Sequence, residues 1–492
     1  MRHIEVRPGL YRDSVQLMQI SAALAGSTER ALVAMATGVN LELLDQMGFD
    51  PPAGAGPNDM VVALVAPDEP SLAAALSTLE AELAGSRRDA GSAGTGGPVP
   101  ARTVGSAVRA VGEGALVLVS TPGRNAFVEA MDALDAGASV MVFSDNVPVE
   151  QEVALKQAAA ARGLLVMGPD CGTAVIGGVG LGFANVVRPG PVGIVAASGT
   201  GAQHVMSLLS EPVGISHCIG VGGRDLSAAV GGASTHAALD ILDADPATEL
   251  IVVLSKPPAP AVADALREHI DRLRTPTIFA PLGPGHPNLT EVAAHVLTRR
   301  GVTLSVPPWV LGWAPDRSRT GGTGALRGLF SGGTLCVEAM VVASELLGPV
   351  ASNVPIDPEW RVGLSDSPHW MLDLGDDAYT VGRPHPMIDF GPRLAQLDRE
   401  AADPTCRVIL LDVVLGHGAH PDPAAELAPA IRSAVGRDAP LTVLVSLVGS
   451  PDDPQGFDRQ ATTLAAAGAH VEASNAAAAR HAAKLILRGD ES

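Results

Sequence analysis

The chain has 492 residues, 47% of them hydrophobic, 17% charged and only 3% aromatic, with 55 glycines. That length suits about three domains of ordinary size, and cores built from Ala, Val, Leu and Ile suit tightly packed α/β layers. A formal net charge of −20 argues against nucleic acid and anionic membrane surfaces as partners, because both demand concentrated Lys and Arg.

From the amino terminus, Ile4-Glu-Val, Ala31 to Met35 and Met60 to Val65 read as strands, and Asp13 to Leu24 and Leu72 to Leu83 read as helices. This βαβ alternation predicts a parallel sheet. Residues 85–100 are turn formers with nothing to bury and read as a flexible linker. Alternation resumes with strands at Ala115 to Ser120, Ser139 to Phe143 and Gly163 to Met167, and helices at Arg124 to Ala136 and Val149 to Arg162. The last strand runs into Gly168-Pro-Asp-Cys-Gly172. A turn at a strand's carboxyl end lies where open α/β sheets bind ligands, which makes Asp170 and Cys171 candidates; a plain turn is the alternative.

A second α/β unit starts at Pro191. The apolar run Val192 to Ala197 breaks into Ser198-Gly-Thr-Gly201 before a helix from Ala202 to Leu209. Glycine here is expected to supply backbone angles closed to other residues, and Ser198 and Thr200 to cap the helix. Further strands at Leu250 to Ser255 and Thr277 to Ala280 alternate with helices at Thr235 to Leu242 and Ala261 to Leu273. Residues 307–324 lack periodicity and connect to a third unit. That unit repeats the plan: Ser331-Gly-Gly-Thr334, then a helix from Leu335 to Leu347, then strands near Trp370, Arg407 to Val414, Leu441 to Ser446 and His470 to Ala473. Two turns of this kind each aim backbone N–H groups and the positive end of a helix at one spot, which favours a phosphate or carboxylate. Ser198, Gly199, Thr200, Gly201, Gly332, Gly333 and Thr334 are therefore expected to face one another across a single anion.

Other residues carry charge or acid–base chemistry at strand ends. Arg224, after a Gly-Gly turn, suits a carboxylate gripped bidentately or a rim salt bridge. Lys256 suits charge neutralisation. His385, His417 and His420 flank Pro and Gly turns after strands, and imidazole is the side chain suited to acid or base work near neutral pH. Cys171, Cys218, Cys336 and Cys406 form no metal or disulfide pattern. Cys171 and Cys336 read as small buried hydrophobes, no metal is expected, and a reducing cytosol is the expected setting. The start of the chain carries no apolar signal region, and no apolar run reaches the roughly 18 residues of a membrane helix.

At these residues the chain resembles the succinyl-CoA synthetase superfamily and, within it, the FdrA family. Gly168-Pro-Asp-Cys, Gly193-Ile-Val-Ala-Ala-Ser-Gly-Thr and Gly220-Val-Gly-Gly are similar to the α-subunit pattern. Ser331-Gly-Gly-Thr-Leu-Cys, Leu372-Asp-Leu-Gly and Leu411-Asp-Val-Val-Leu-Gly are similar to the β-subunit carboxyl-terminal ligase domain. Gly222-Gly-Arg-Asp-Leu-Ser, Ser255-Lys-Pro-Pro, Arg383-Pro-His-Pro-Met-Ile-Asp and Gly418-Ala-His-Pro-Asp-Pro resemble FdrA more specifically. The resemblance implies an α/β chain: a Rossmann-like CoA-binding-type domain over 1–186, an α-subunit-like ligase domain over 187–306 and a β-subunit-like ligase domain over 325–488, the last two flavodoxin-like. It departs from the synthetases in three ways. Arg7-Pro-Gly-Leu-Tyr-Arg-Asp and Ala36-Thr-Gly-Val-Asn-Leu-Glu lack the glycines and lysine of CoA loops, so CoA is not expected. The phosphohistidine loop has only Gly283-Pro-Gly-His286-Pro as its counterpart, and no ATP-grasp domain is visible. What the resemblance then implies is a subunit of an oxamate-type carbamoyltransferase of purine and allantoin catabolism. Such a subunit takes carbamoyl phosphate and an oxamate-like acid, works with separate partner subunits and is oligomeric. An acid–CoA ligase subunit and a non-catalytic anion-binding subunit are the alternatives.

Overall fold

The computed structural model describes residues 1–490 apart from 11–16, 18–19, 22, 51, 53, 57, 92–100, 316–323, 364–365, 381–383 and 438–440, and it separates into two compact units, 1–100 and 101–492. The first unit contains β1 (Arg2–Arg7), β2 (Arg30–Met35), α1 (Gly38–Gln46), β3 (Met60–Val65) and α2 (Glu69–Gly91). The apolar run of β3 is uninterrupted because both of its faces are covered. Met60, Val62 and Leu64 pack with Leu17, Ile20, Leu24 and Leu79, while Val61, Ala63 and Val65 pack with Leu44 and Phe49. The strand order is β1-β3-β2, and both pairings are antiparallel.

The parallel sheet expected over 1–84, and with it a single Rossmann-like layer over 1–186, is corrected here. β1 and β2 do run in the same direction, as a βαβ unit requires, but they leave a gap of one strand that β3 fills from the opposite direction, a split βαβ. Alternation of strand and helix does not distinguish the two arrangements. Residues 85–91, expected as linker, continue α2. The rest of that linker lies outside the described residues.

The second unit opens with α3 (Val104–Val111), β4 (Leu116–Val119), α4 (Gly123–Asp135), β5 (Ser139–Val142), α5 (Val149–Ala160) and β6 (Val166–Met167), whose strands form a parallel sheet in the order β4-β5-β6. Next come β7 (Thr173–Ile176), β8 (Val179–Gly182), β9 (Pro189–Ala196), α6 (Gly199–Ser210), β10 (Ile215–Gly220), α7 (Ala233–Ala244), β11 (Leu250–Ser255), α8 (Pro260–Ile270), β12 (Thr277–Pro281) and α9 (Leu289–Arg299). Their sheet runs β12-β11-β9-β10-β7-β8, parallel through its first four strands.

The remainder contains β13 (Gly312–Trp313), β14 (Ala325–Phe330), α10 (Gly333–Leu347), β15 (Ala351–Ser352), β16 (Trp370–Asp373), α11 (Asp377–Thr380), α12 (Gly391–Ala402), β17 (Cys406–Val414), α13 (Pro423–Val435), β18 (Thr442–Val448), α14 (Phe457–Ala466), β19 (Ala469–Glu472) and α15 (Asn475–Asp490). This sheet runs β13-β19-β18-β17-β14-β16-β15, and only β13 is antiparallel to its neighbour.

Two features of this topology position the site. β9 has β10 on one side and β11 on the other, and β14 lies between β16 and β17. The carboxyl ends of β9 and β14 are thus points where the strand order reverses, the ligand-binding position of open α/β sheets. The two sheets also share one core. Val205, Met206 and Leu209 of α6 and Ala293 and Val296 of α9 join Leu335, Ala339 and Met340 of α10 and Ala479, Ala482 and Ala483 of α15. Small side chains let these helices approach closely, which brings the starts of α6 and α10 together. No helix of the described residues is long and apolar enough to cross a membrane.

Candidate functional site

Each turn is closed by a different device. At α6 the N-cap is Ser198, whose Oγ accepts from the Gly201 N–H at 3.1 Å. At α10 the N-cap is Gly332, which has no side chain to offer. Asp412 of β17 fixes the turn that leads into the helix, accepting from Ser331 N at 2.8 Å, Ser331 Oγ at 3.0 Å and Gly332 N at 3.0 Å. Asp412 is fully buried and ion-paired with Arg393 at 2.8 Å. Burial pushes its carboxyl up from the usual range, and the Arg393 charge opposes that shift. Neither Asp412 nor Arg393 was singled out from sequence, although an Asp inside the strand Ile409-Leu-Leu-Asp-Val-Val is a visible signal, since a charge on an apolar strand needs a partner.

The two turns touch. Ser198 Oγ lies 2.6 Å from Thr334 Oγ1, and a Cβ built on Gly332 would lie 2.7–2.8 Å from the Thr200 side chain. The glycines are there for this approach. The expectation that they supply unusual backbone angles is corrected: none of Gly199, Gly201, Gly332 and Gly333 has a positive φ. A Cβ on Gly201 would meet Ser198 Oγ at 2.4 Å and Thr334 Cγ2 at 3.0 Å, and one on Gly333 would meet Asp373 Oδ2 at 2.6 Å.

With the hydroxyls in contact, the donors open to a ligand lie along the rim of the seam. Gly199 is exposed there, and Thr200 and Gly333 are half-buried. Their N–H groups belong to the first helical turns, which have no intrahelical acceptor. Lys256 is exposed just after β11, and its charge favours the ionised form of Asp373. Asp373 itself is only 7% exposed; burial, with Asp412 and Asp376 nearby, pushes its carboxyl up to about 7. His385 is brought to the same turn, for a Cβ on Gly375 would lie 2.9 Å from its Nε2. Its Nδ1 accepts from Met387 N, and burial, helped by Arg393, lowers its pKa to about 4. The ring is therefore neutral at pH 7 and available as an Nε2–H donor.

The other candidates lie elsewhere or have structural partners. Arg224 donates to Val147 O at 2.7 Å and pairs with Glu152 at 3.0 Å. It edges a buried cluster in which Lys156 holds Glu152 at 2.8 Å and Asp225 at 2.7 Å. Asp225 caps α7 through Ser234 N and Thr235 N. His420 is held through its ring, with Nδ1 accepting from Asp422 N and the face edge-on to Phe390. His417 exchanges backbone hydrogen bonds with Ala184. His286 lines a depression of about 260 Å³ with Pro257, Pro258, Ala263, Phe279 and Pro281, and none of the turn residues lines it. Asp170 is exposed in its turn, and its N–H bonds Ser144 O. Cys171 is buried against Thr173 O and Gly220 O, and burial pushes its thiol up to about 12, as a structural cysteine requires.

Residues 329–485 match the CoA-ligase family, and residues 1–98 match the heavy metal-associated domain of AllF. Residues 1–98 contain no cysteine and a single histidine, His3, which lies 3.5 Å from Glu5. Among the described residues no cluster of three metal-ligating side chains occurs. The α subunit of an ADP-forming succinate–CoA ligase from Methanothermobacter thermautotrophicus is 27% identical over 29% of this chain and 47% of its own. The dinucleotide-forming acetyl-coenzyme A synthetase 1 of Ca. Korarchaeum cryptofilum (apo form) covers 76% of this chain and 83% of its own, at 18% identity and a TM-score of 0.29. The uncharacterized protein YahF of Escherichia coli (strain K12) is 38% identical over 99% of both chains. At that identity and coverage the chain belongs to the same family as YahF, and residues 329–485 within it are similar to the CoA-ligase family.

Proposed function

We propose that this chain is the anion-handling subunit of an acyl-phosphate group-transfer enzyme, holding phosphate or carbamoyl phosphate on the rim of the seam between α6 and α10. The observation that carries the reading is the 2.6 Å contact of Ser198 Oγ with Thr334 Oγ1, which sets two helix starts head to head. Each helix end contributes about half a positive charge, so the pair offsets roughly one unit of a phosphate's charge. Lys256 adds an exposed cation and His385 an N–H donor. Together they would stabilise charge building on a departing phosphate. The reaction we assign is carbamoyl transfer to an oxamate-like acid with partner subunits in the cytoplasm, on the resemblance set out under Sequence analysis.

A second reading, an acid–CoA ligase subunit, is favoured by the CoA-ligase match and by the succinate–CoA ligase relative. It requires a site for the CoA pyrophosphate. Of the two segments without CoA-type glycines, 36–42 belongs to the split antiparallel unit, where Thr37 caps α1 through its own hydroxyl, and residues 11–13 of the other lie outside the described residues. The readings separate in one assay of the full chain with its co-purified partners. Phosphate release from carbamoyl phosphate that depends on oxamate and not on CoA supports the first; acyl-CoA formation from ATP, CoA and a carboxylic acid supports the second and overturns the first.

A further inference from the structure

We propose that the Asp373 carboxyl shares the start of α10 with the bound anion, so that an anion enters this site together with a proton on Asp373. The inference rests on the anion-site reading above and adds a control to it. Asp373 ends β16 with its backbone fixed on both sides: its N–H donates to Asn353 Oδ1 and its carbonyl accepts from Asn353 Nδ2. Of its carboxyl oxygens, Oδ1 accepts the Gly375 N–H at 2.9 Å. Oδ2 has no hydrogen-bond donor among the described residues, and it overhangs Gly333, the first residue of α10, within 2.6 Å of where a Cβ would stand. A side chain that is 7% exposed thus holds a carboxyl oxygen beside Gly333, close to where an anion on the rim would sit.

Two anions cannot both occupy such a spot. An ionised Asp373 places its charge beside the start of α10 and repels the ligand, whereas a protonated Asp373 removes that repulsion and offers the ligand an O–H. The groups facing it decide the balance. Asp412 of β17 and Asp376 after β16 oppose its ionisation, and Lys256 at the end of β11 favours it. Asp412 is itself matched by Arg393. His385 stands at Gly375 as a neutral ring, and Cys336 of α10 is a buried thiol whose own ionisation Asp373 disfavours. With burial raising the Asp373 carboxyl to about 7, the exchange falls in the physiological range.

The test uses the full chain and sulfate, whose charge is constant between pH 6 and pH 8. Calorimetric titration should show affinity falling about tenfold from pH 6 to pH 8, with about one proton taken up per sulfate at pH 8, read from buffers of different ionisation enthalpy. Asp373→Asn should bind sulfate with pH-independent affinity close to that of the parent at pH 6. Binding by the parent chain without proton uptake overturns the inference and leaves the anion site standing, and so does an unchanged pH slope in Asp373→Asn. Absence of sulfate binding at every pH overturns the anion site and the inference together. The proton count is made on the parent chain and needs no variant to fold.

Discussion

Gly332 and Gly199 look alike in the sequence but face different neighbours. A methyl group on Gly332 would strike three atoms of Thr200 at 2.7–2.8 Å, whereas one on Gly199 meets only Thr173 Oγ1, at 3.2 Å. Gly332→Ala should therefore prise the seam apart and cost about 1–3 kcal/mol, the usual range for overpacking, while Gly199→Ala should stay within about 0.5 kcal/mol. Thr200→Gly should restore most of the loss when combined with Gly332→Ala. Urea unfolding of the four proteins checks this, and equal behaviour of the two single variants would contradict the packing account. The sequence shows that glycines stand here but not why. The reason lies in Thr200 and Gly332 meeting across two sheets, and no local pattern encodes that contact. Asp373 stands in the motif Leu372-Asp-Leu-Gly with no role of its own for the same cause: it is an ordinary strand-end aspartate until α10 is placed beside it.

At the scale of elements, helix starts organise the molecule, and they are served by residues distant in sequence. Asp412 on β17 anchors the turn before α10 and neutralises Arg393 on α12. Asp412→Ala should leave a buried guanidinium without its partner and two backbone donors unsatisfied, a loss of about 3–5 kcal/mol, visible as a lower denaturation midpoint at constant slope. Glu338 of α10 plays the reverse part, accepting from Leu289 N at the start of α9 and from Asn475 Nδ2 at the start of α15. Burial raises its carboxyl to about 7. A folded-state pKa above the unfolded value of 4.5 means the contribution is full below about 4.5 and is lost as pH rises through about 7. The difference in unfolding free energy between the parent chain and Glu338→Gln should thus shift in favour of Gln as pH rises across that window; a constant difference would contradict the burial argument. Strand and helix positions were largely legible, because apolar runs such as Leu250 to Ser255 and Arg407 to Val414 carry their periodicity in the open. Strand direction was not: β1, β2 and β3 have the same local pattern whether the third strand joins at the edge or fills the gap.

Across the whole molecule, the repeated plan of strand, small turn and helix was visible in sequence at Ser198 and at Ser331, and the shared core of α6, α9, α10 and α15 explains why the two copies meet. What the sequence left open is how tightly they meet. With hydroxyls 2.6 Å apart, the ligand site we propose is the rim of a closed seam rather than a space between two turns. That rim is the central claim, and Gly199 is the place to probe it, being exposed on the rim yet clear of the seam. The decisive measurement is calorimetric titration of inorganic phosphate and carbamoyl phosphate into the parent chain and Gly199→Val. The account predicts one site per chain in the parent, at least about tenfold weaker binding in the variant, equivalent to about 1.4 kcal/mol, and an almost unchanged unfolding midpoint without ligand. Equal affinity in a folded Gly199→Val protein, or no binding by the parent chain, would contradict it.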